Sequence, residues 1–344
     1  MVRQKRILIV RQDRIGDVVV STSIPRAIKK QWTDSYVAVL VSSYTKDIYL
    51  NNPYVDDIII YEDVPFKSIN NFFIRVKEIR RNNFTHALML LPSKRINYLL
   101  FLSGIRKRIG IGKKFYQFIT FVKGVSRHKY IPLRHEADYC MDLARRIGIK
   151  SNDYAPKIYL SKPEKGHVDE TRLKLLEEDK IIVGIHSSNG HSAPNLPVKT
   201  YLQLIKRLQN TNRFKIVVTD NIVPPEMQNL EGVEYPNDGS DLRNSILNFA
   251  ALDILISSST GPMHIAAALG IKTLSMFCPL PACSPKLWGP LGNDNTIILP
   301  EENYCNINCK NHPKDCTFEG NGGISIGKIL FSLNSLAEEY KKSA

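Results

Sequence analysis

No stretch of this 344-residue chain runs for about 18 uncharged apolar residues, so the sequence offers no helix that spans a bilayer. The first apolar run, "ILIV" (Ile7 to Val10), is too short for the core of a secretion signal, and Arg11, Asp13 and Arg14 follow at once. A cytoplasmic protein is the expectation. Cysteine is scarce as well: Cys140, Cys278, Cys283, Cys305, Cys309 and Cys316 do not make a disulfide framework in so long a chain without a secretion signal. The GxGxxG fingerprint and the phosphate-binding loop of P-loop enzymes are both missing, which removes support for a Rossmann dehydrogenase or a P-loop nucleoside triphosphatase. RNP and KH signatures are missing too, and the basic segments carry few regularly interleaved aromatics, so no specific nucleic acid is expected as a partner.

The first half is also short of negative charge. Residues 1–150 carry 28 Lys+Arg against 12 Asp+Glu, a net of +16, while residues 151–344 carry 19 against 21, a net of −2. A half so cationic suits a polyanion: nucleic acid, an anionic membrane face or a phosphorylated substrate. At 43% hydrophobic residues the chain can bury real cores, and its length has room for roughly two domains.

Short β-rich runs alternate with helical stretches, the signature of parallel βαβ units. "RILIV", "YVAVLVS", "DDIIIY" and "HALMLL" read as strands. "INNFFIRVKEIRRNN", a basic stretch from about Lys94 to Ser103 and "HEADYCMDLARRIGI" read as helices. In "VVVSTSIPRAIKKQW", Pro25 marks either a kink or a true helix start. The polar segment "KSNDYAPKIYLSKPEKG" reads as a linker, after which the alternation restarts. A helix over about 164–178 precedes the strands "KIIVGIHSS", "FKIVVTD", "DILISSS" and "KTLSMFC", and a last helix covers 324–340. Two α/β domains in tandem are expected: residues 1–155 and 156–323, followed by the terminal helix 324–344.

Two strand ends carry candidate chemistry. In "RQDRIGDVVV", Asp17 sits at the mouth of a strand-to-helix turn, where it reads either as a helix N-cap or as a reactive carboxylate. In "LDILISSSTGPMHIAAALG", a buried strand ends in Ser257, Ser258 and Ser259. A Thr260–Gly261–Pro262 turn then opens an Ala-rich helix. Hydroxyls before a helix N-terminus make a ready anion site, because the first N–H groups are free and the dipole favours negative charge. An ordinary capped turn is the alternative.

Taken in order, "RIGDVVVSTSIPRAIK", "STGPMHIAAALG" and "FCPLPACSPKLWGP" resemble the family 9 glycosyltransferases, the heptosyltransferases of the lipopolysaccharide inner core. The resemblance covers nearly the whole chain and includes "HEADYCMDLARRIGI". It implies an α/β GT-B fold: two Rossmann-like domains with parallel sheets facing across a cleft, acceptor on the first, sugar-nucleotide donor on the second, and a final helix packing back on the first. It assigns Asp17 as the general base that takes a proton from the acceptor hydroxyl. An ordinary Asp, with a pKa near ~3.9, is a weak base and serves only where the hydroxyl proton leaves late.

The resemblance also implies that the donor diphosphate meets the N–H groups and hydroxyls around Thr260, Gly261 and Met263, with no metal and no bound cofactor. Ser259 joins that set, His264 either adds a donor to a phosphate or packs in the first helical turn, and Ser187 and Ser188, ending another strand of the same sheet, are expected to face the diphosphate too. Arg14, Lys94 and Arg95 are the acceptor candidates. Arg106, Lys107, Arg108, Lys113 and Lys114 either attract an anionic membrane face or form a solvated surface. Two positions depart from the family. Ser259 stands where members carry an Asp, and "HSAPNLP" lacks their Lys or Arg, with only His191 nearby. Either His191 substitutes, or a basic residue of the first domain does, or the donor differs.

The expected reaction is inverting, metal-independent transfer from a nucleotide-diphosphate sugar, ADP-heptose first, to a lipid-linked anionic saccharide at the inner face of the cytoplasmic membrane. A GT-B sugar-nucleotide epimerase and a non-enzymatic polyanion-binding protein are the rivals. Cys305, Cys309 and Cys316, with His312 between, loosely resemble a metal site, but their C-x3-C and C-x6-C spacings are not those of a usual zinc knuckle.

Overall fold

The apolar runs of the first half become strands of a single parallel sheet. The computed structural model describes residues 4–62, 69–112, 114–127, 130–176, 180–190, 193–308 and 312–343. It divides into two units, Met1–Tyr159 and Leu160–Ala344.

In the first unit the elements run β1 (Arg6–Val10), α1 (Ile15–Val19), α2 (Ser23–Gln31), β2 (Tyr36–Val41), β3 (Asp57–Ile60) and α3 (Ile69–Arg81). Then follow β4 (His86–Met89), α4 (Lys94–Leu102), β5 (Lys107–Ile111), α5 (Phe115–Ile119), β6 (Lys123–Val125) and α6 (Glu136–Arg146). The sheet order is β3-β2-β1-β4-β5-β6, every pairing parallel. Alternate residues serve opposite faces. Leu8, Val10, Ala38, Leu40, Ala87 and Met89 pack with Val76, Ile79, Ile96 and Leu99 of α3 and α4. Ile7, Ile9, Val37 and Val39 point to the other face and are also buried. Helices on both sides explain why these strands are continuously apolar instead of alternating. Pro25 lies in the first turn of α2, so it marks a helix start and not a kink.

The second unit repeats the plan: α7 (Lys162–Leu175), β7 (Ile181–His186), α8 (Val198–Gln209), β8 (Phe214–Val218), β9 (Val233–Glu234), α9 (Leu242–Ala250), β10 (Ile254–Ser258) and α10 (Gly261–Leu269). It continues with β11 (Lys272–Met276), α11 (Pro285–Trp288), β12 (Asn295–Ile298), α12 (Tyr304–Asn308) and α13 (Ile326–Ser343). The order β12-β11-β10-β7-β8-β9 is again all parallel. Ser161 caps α7 reciprocally with Glu164, which also takes both arms of Arg243 from α9 (2.8 Å each).

Helix α13 is built into the second unit. Ile329, Leu333, Leu336 and Ala337 lie in the core with Ile181, Ile205 and Phe214. Tyr340 donates to Asp253, and Arg213 pairs with Glu338 (2.6 Å). Asp253 explains the anchor: its buried carboxylate also takes Arg172 (2.5 Å) and the Ile182 N–H (2.8 Å). The strands that sequence periodicity missed, β5 and β6 with β9 and β12, are short or begin with charged residues, and pairing with a formed neighbour decides them.

Each sheet has one crevice where the chain reverses its direction of winding: between β1 and β4 in the first unit, and between β7 and β10 in the second. Open α/β sheets bind ligands there, beyond the carboxyl ends of the strands.

Candidate active site

In the first unit, that crevice holds a buried charge cluster. Arg11, one residue past β1 and 3% exposed, reaches across it. Its Nη1 donates to the carbonyl of Leu90, just past β4 (3.2 Å), and to Glu136 (3.4 Å). Nε meets Asp13 (2.7 Å), and Nη2 meets Asp17 (2.5 Å). Glu136, the buried first residue of α6, is held on its other side by a bidentate pair with Arg127 (2.7 and 2.8 Å). Two guanidinium groups thus meet three carboxylates.

Asp17 is not the helix cap. Arg14 occupies that position, and Asp17 stands in the first turn of α1, its carboxylate 21% exposed and turned to Arg11. Burial pushes its carboxyl up to about 6; Arg11 pulls against the rise, and Asp13 and Glu136 add to it. The weak base expected from sequence is therefore a carboxylate poised near neutrality. Burial also raises Asp13, against the pull of Arg11.

The acceptor candidates lie on the same sheet edge. Arg14 is exposed after β1. Lys94 is exposed at the start of α4, and Arg95 beside it is half-buried, its guanidinium over the Tyr61 ring (5.6 Å). Of the wider basic cluster, Arg106, Lys107 and Lys114 are exposed, and Lys113 lies outside the described residues. Arg108 does not belong to that surface. It is buried and donates to the carbonyls of Ile105 and Thr120.

In the second unit, the crevice holds the Thr260 turn. Thr260 caps α10 without a side-chain capping bond, and Pro262 is in the first turn. Among the described residues, the buried hydroxyls of Ser257, Ser258 and Thr260 have no hydrogen-bond partner. Ser257 and Ser258 end β10, and the Thr260 hydroxyl stands at the N-terminus of α10, a place that suits an anion. Ser259 is half-buried in the turn. Met263 is fully buried, so only its backbone is available, and the ring of His264 meets Trp288 edge-on (6.4 Å).

Ser187 and Ser188 follow β7 and lie close to Asp220 of the second unit. Buried Asp220 accepts the Ser187 N–H and hydroxyl (3.0 Å each) and the Ser188 N–H (2.8 Å). Nδ1 of His186 faces both the carbonyl and the hydroxyl of Thr219 (3.2 Å each), and Nε2 faces the Ser188 hydroxyl (3.2 Å). Burial holds the His186 pKa down, which favours the neutral ring. Ser187 is buried with both its donors on Asp220, whereas Ser188 is exposed and has only its N–H committed there. His191 lies outside the described residues.

The cysteine segment divides. Cys309 lies outside the described residues, and the Cys316 thiol faces the Tyr304 hydroxyl (3.8 Å). Among the described residues no three His, Cys, Asp or Glu side chains converge as a metal-ligand set. No described helix is long and apolar enough to cross a membrane.

Sequence reasoning missed Arg11, Asp13, Arg127 and Glu136. Arg11 and Asp13 sat inside a quoted motif, and Glu136 read as an ordinary first-turn acid of an amphipathic helix. Nothing in linear spacing joins residue 11 to residue 136.

The sequence model described as glycosyltransferase family 9 (heptosyltransferase) matches residues 240–317, which include the Thr260 turn. A Haemophilus influenzae protein, provisionally named a glycosyltransferase, is 27% identical over 309 residues, 84% of this chain and 87% of that one. Two solved structures share the fold. The glycosyl transferase family 9 protein of Veillonella parvula superposes with a TM-score of 0.77 at 17% identity, over 97% of each chain. The ADP-heptose lipopolysaccharide heptosyltransferase II of E. coli does so with a TM-score of 0.72 at 18% identity, over 98% of this chain and 99% of that one. Both are consistent with a GT-B architecture of two parallel α/β sheets.

Proposed function

We propose that this chain is a heptosyltransferase-like glycosyltransferase of family 9 and that it moves a heptose or related sugar from a nucleotide-diphosphate sugar to the lipopolysaccharide inner core. ADP-heptose is the first candidate donor, the sugar named for the E. coli structure above. The acceptor is a lipid-linked anionic saccharide met at the cytoplasmic face of an anionic membrane. No bound cofactor and no metal take part.

The observation that carries this reading is Asp17: a carboxylate pushed up to about 6, at the crevice of an open α/β sheet. Its oxygen accepts the proton of the acceptor hydroxyl. That hydroxyl oxygen forms the new bond to the anomeric carbon, from the face opposite the leaving group, and the bond from that carbon to the diphosphate oxygen breaks. One displacement inverts the anomeric centre, and the nucleoside diphosphate departs with its electron pair. The N–H groups of Gly261 and Met263, the Thr260 hydroxyl and Ser259 take up the charge that develops on the diphosphate, with no metal needed. Arg14, Lys94 and Arg95 meet the acceptor's phosphates. The +16 net charge of residues 1–150 supports an anionic acceptor on the first unit.

Assaying ADP-, UDP- and GDP-sugars with a lipopolysaccharide-core acceptor in EDTA tests this. Transfer from ADP-heptose with inverted anomeric configuration is expected. Turnover with a UDP-sugar alone would remove the donor assignment, and activity restored only by Mg²⁺ would remove metal independence. Epimerised nucleotide sugar formed without any acceptor would favour the epimerase instead.

A further inference from the structure

Helix α5 of the first unit is built inside out. Its buried side is polar. Gln117 is 2% exposed, donates to the Ile111 carbonyl (3.1 Å) and accepts the Lys114 N–H (2.9 Å). Asn97 of α4 donates to the Thr120 hydroxyl (2.7 Å) and the Tyr116 carbonyl (3.2 Å), and Arg108 donates to the Thr120 carbonyl (2.5 Å). Its outer side is aromatic. Phe115 and Phe118 are each 79% exposed, Phe121 in the next turn is 77% exposed, and Ile119 beside them is exposed too. Folding alone would place these rings inward and the amides outward. Polar contacts instead fix a short helix so that it holds three phenyl rings in water. Scattered exposed apolar residues are ordinary, whereas a contiguous group marks an interaction surface.

The surrounding charge says what that surface meets. Between Glu78 and Glu136 lie 57 residues without a single acid and with 13 Lys+Arg. Exposed Lys114 immediately precedes the first ring, and exposed Lys123 follows the last by two residues. A second copy of this chain would bring the same positive field against itself, which disfavours self-association. An anionic bilayer complements both features, phosphates for the lysines and the acyl boundary for the rings.

We propose that α5 and the turn after it dock the protein on anionic membrane: Phe115, Phe118 and Phe121 enter the headgroup–acyl boundary while Lys114 and Lys123 hold lipid phosphates. The proposal rests on the reading of a lipid-linked acceptor, but vesicle binding is measured without turnover, so either can fail alone. It needs no change in the transferred sugar.

The test uses the full chain with vesicles of phosphatidylcholine alone and of phosphatidylcholine mixed with phosphatidylglycerol. Binding to the mixed vesicles is expected, with little to the neutral ones. Phe115→Ser/Phe118→Ser should weaken it by about tenfold or more per ring while nucleotide binding is unchanged. Lys114→Gln/Lys123→Gln should weaken it most at low salt. In a separate Phe118→Trp variant, emission should shift to the blue on mixed vesicles and be quenched by brominated acyl chains. Failure of the native chain to bind the mixed vesicles would overturn the proposal. So would unchanged binding after removal of the two rings, an unquenched indole in bound protein, or a vesicle-free dimer that Phe118→Ser abolishes.

Discussion

Replacing Asp17 by Asn should make the protein more stable and nearly inactive at once. In the native protein the Asp17 carboxyl is raised from 3.8 to about 6, burial being the largest cause. The folded state therefore holds that proton more tightly than the unfolded chain does, so ionising the group costs native stability. The cost is absent below 3.8 and complete above about 6. Across that interval it amounts to roughly 3 kcal/mol, at 1.36 kcal/mol per pH unit. Asn is nearly the same shape and cannot ionise, and Arg11 keeps Asp13 and Glu136 as partners. The stability gain of Asp17→Asn should thus be near zero at about pH 4 and grow to as much as ~3 kcal/mol at about pH 7.5. Paired thermal and urea unfolding of both proteins across that range measures it. Turnover at the upper end should fall by roughly 10²–10⁴, the worth of a positioned base. A variant less stable than the native protein at pH 7.5, or a gap that does not change with pH, would refute the charge-cluster argument. Near-normal turnover would refute the base.

The acid limb of kcat/KM should fall below about pH 6, because the base must be ionised. In Asp13→Asn that limb should move to lower pH, since a like charge is removed from beside Asp17; a limb that stays in place would separate Asp17 from it. Glu136→Gln leaves Arg127 and Arg11 short of a buried counter-charge and should cost roughly 3–5 kcal/mol in denaturant unfolding. Thr260→Val removes a hydroxyl that bonds nothing in the protein, so stability should hold while calorimetric nucleoside-diphosphate binding weakens by about tenfold or more. Lys94→Ala/Arg95→Ala should raise the acceptor KM, increasingly so at low salt, and leave nucleotide affinity unchanged; the reverse pattern would make them donor residues.

The sequence by itself determined the two α/β units, most of their strands and the two turns that matter. Each of these is local. A strand buried on both faces must be continuously apolar, as "ILIV" and "DILISS" are, and a turn at its end must carry the small and polar residues of "RIGD" and "STGP". The asymmetry of charge was equally legible, because a count needs no coordinates. Only the tertiary structure decided how readily the Asp17 carboxyl ionises. That depends on burial and on residues 11, 13 and 136, brought together across a crevice between non-consecutive strands. It also showed that Ser187 gives its N–H and hydroxyl to Asp220, some thirty residues away in sequence, and that Arg108 is buried while Lys114 is not. Helix α13 joins the core of the second unit, where Tyr340 meets Asp253 at the foot of β10, far away in sequence. Periodicity tells which face of an element is apolar. Long-range contacts then decide what that face meets, which hydrogen bonds remain open and which charges lose their water, because each depends on residues far apart in the chain.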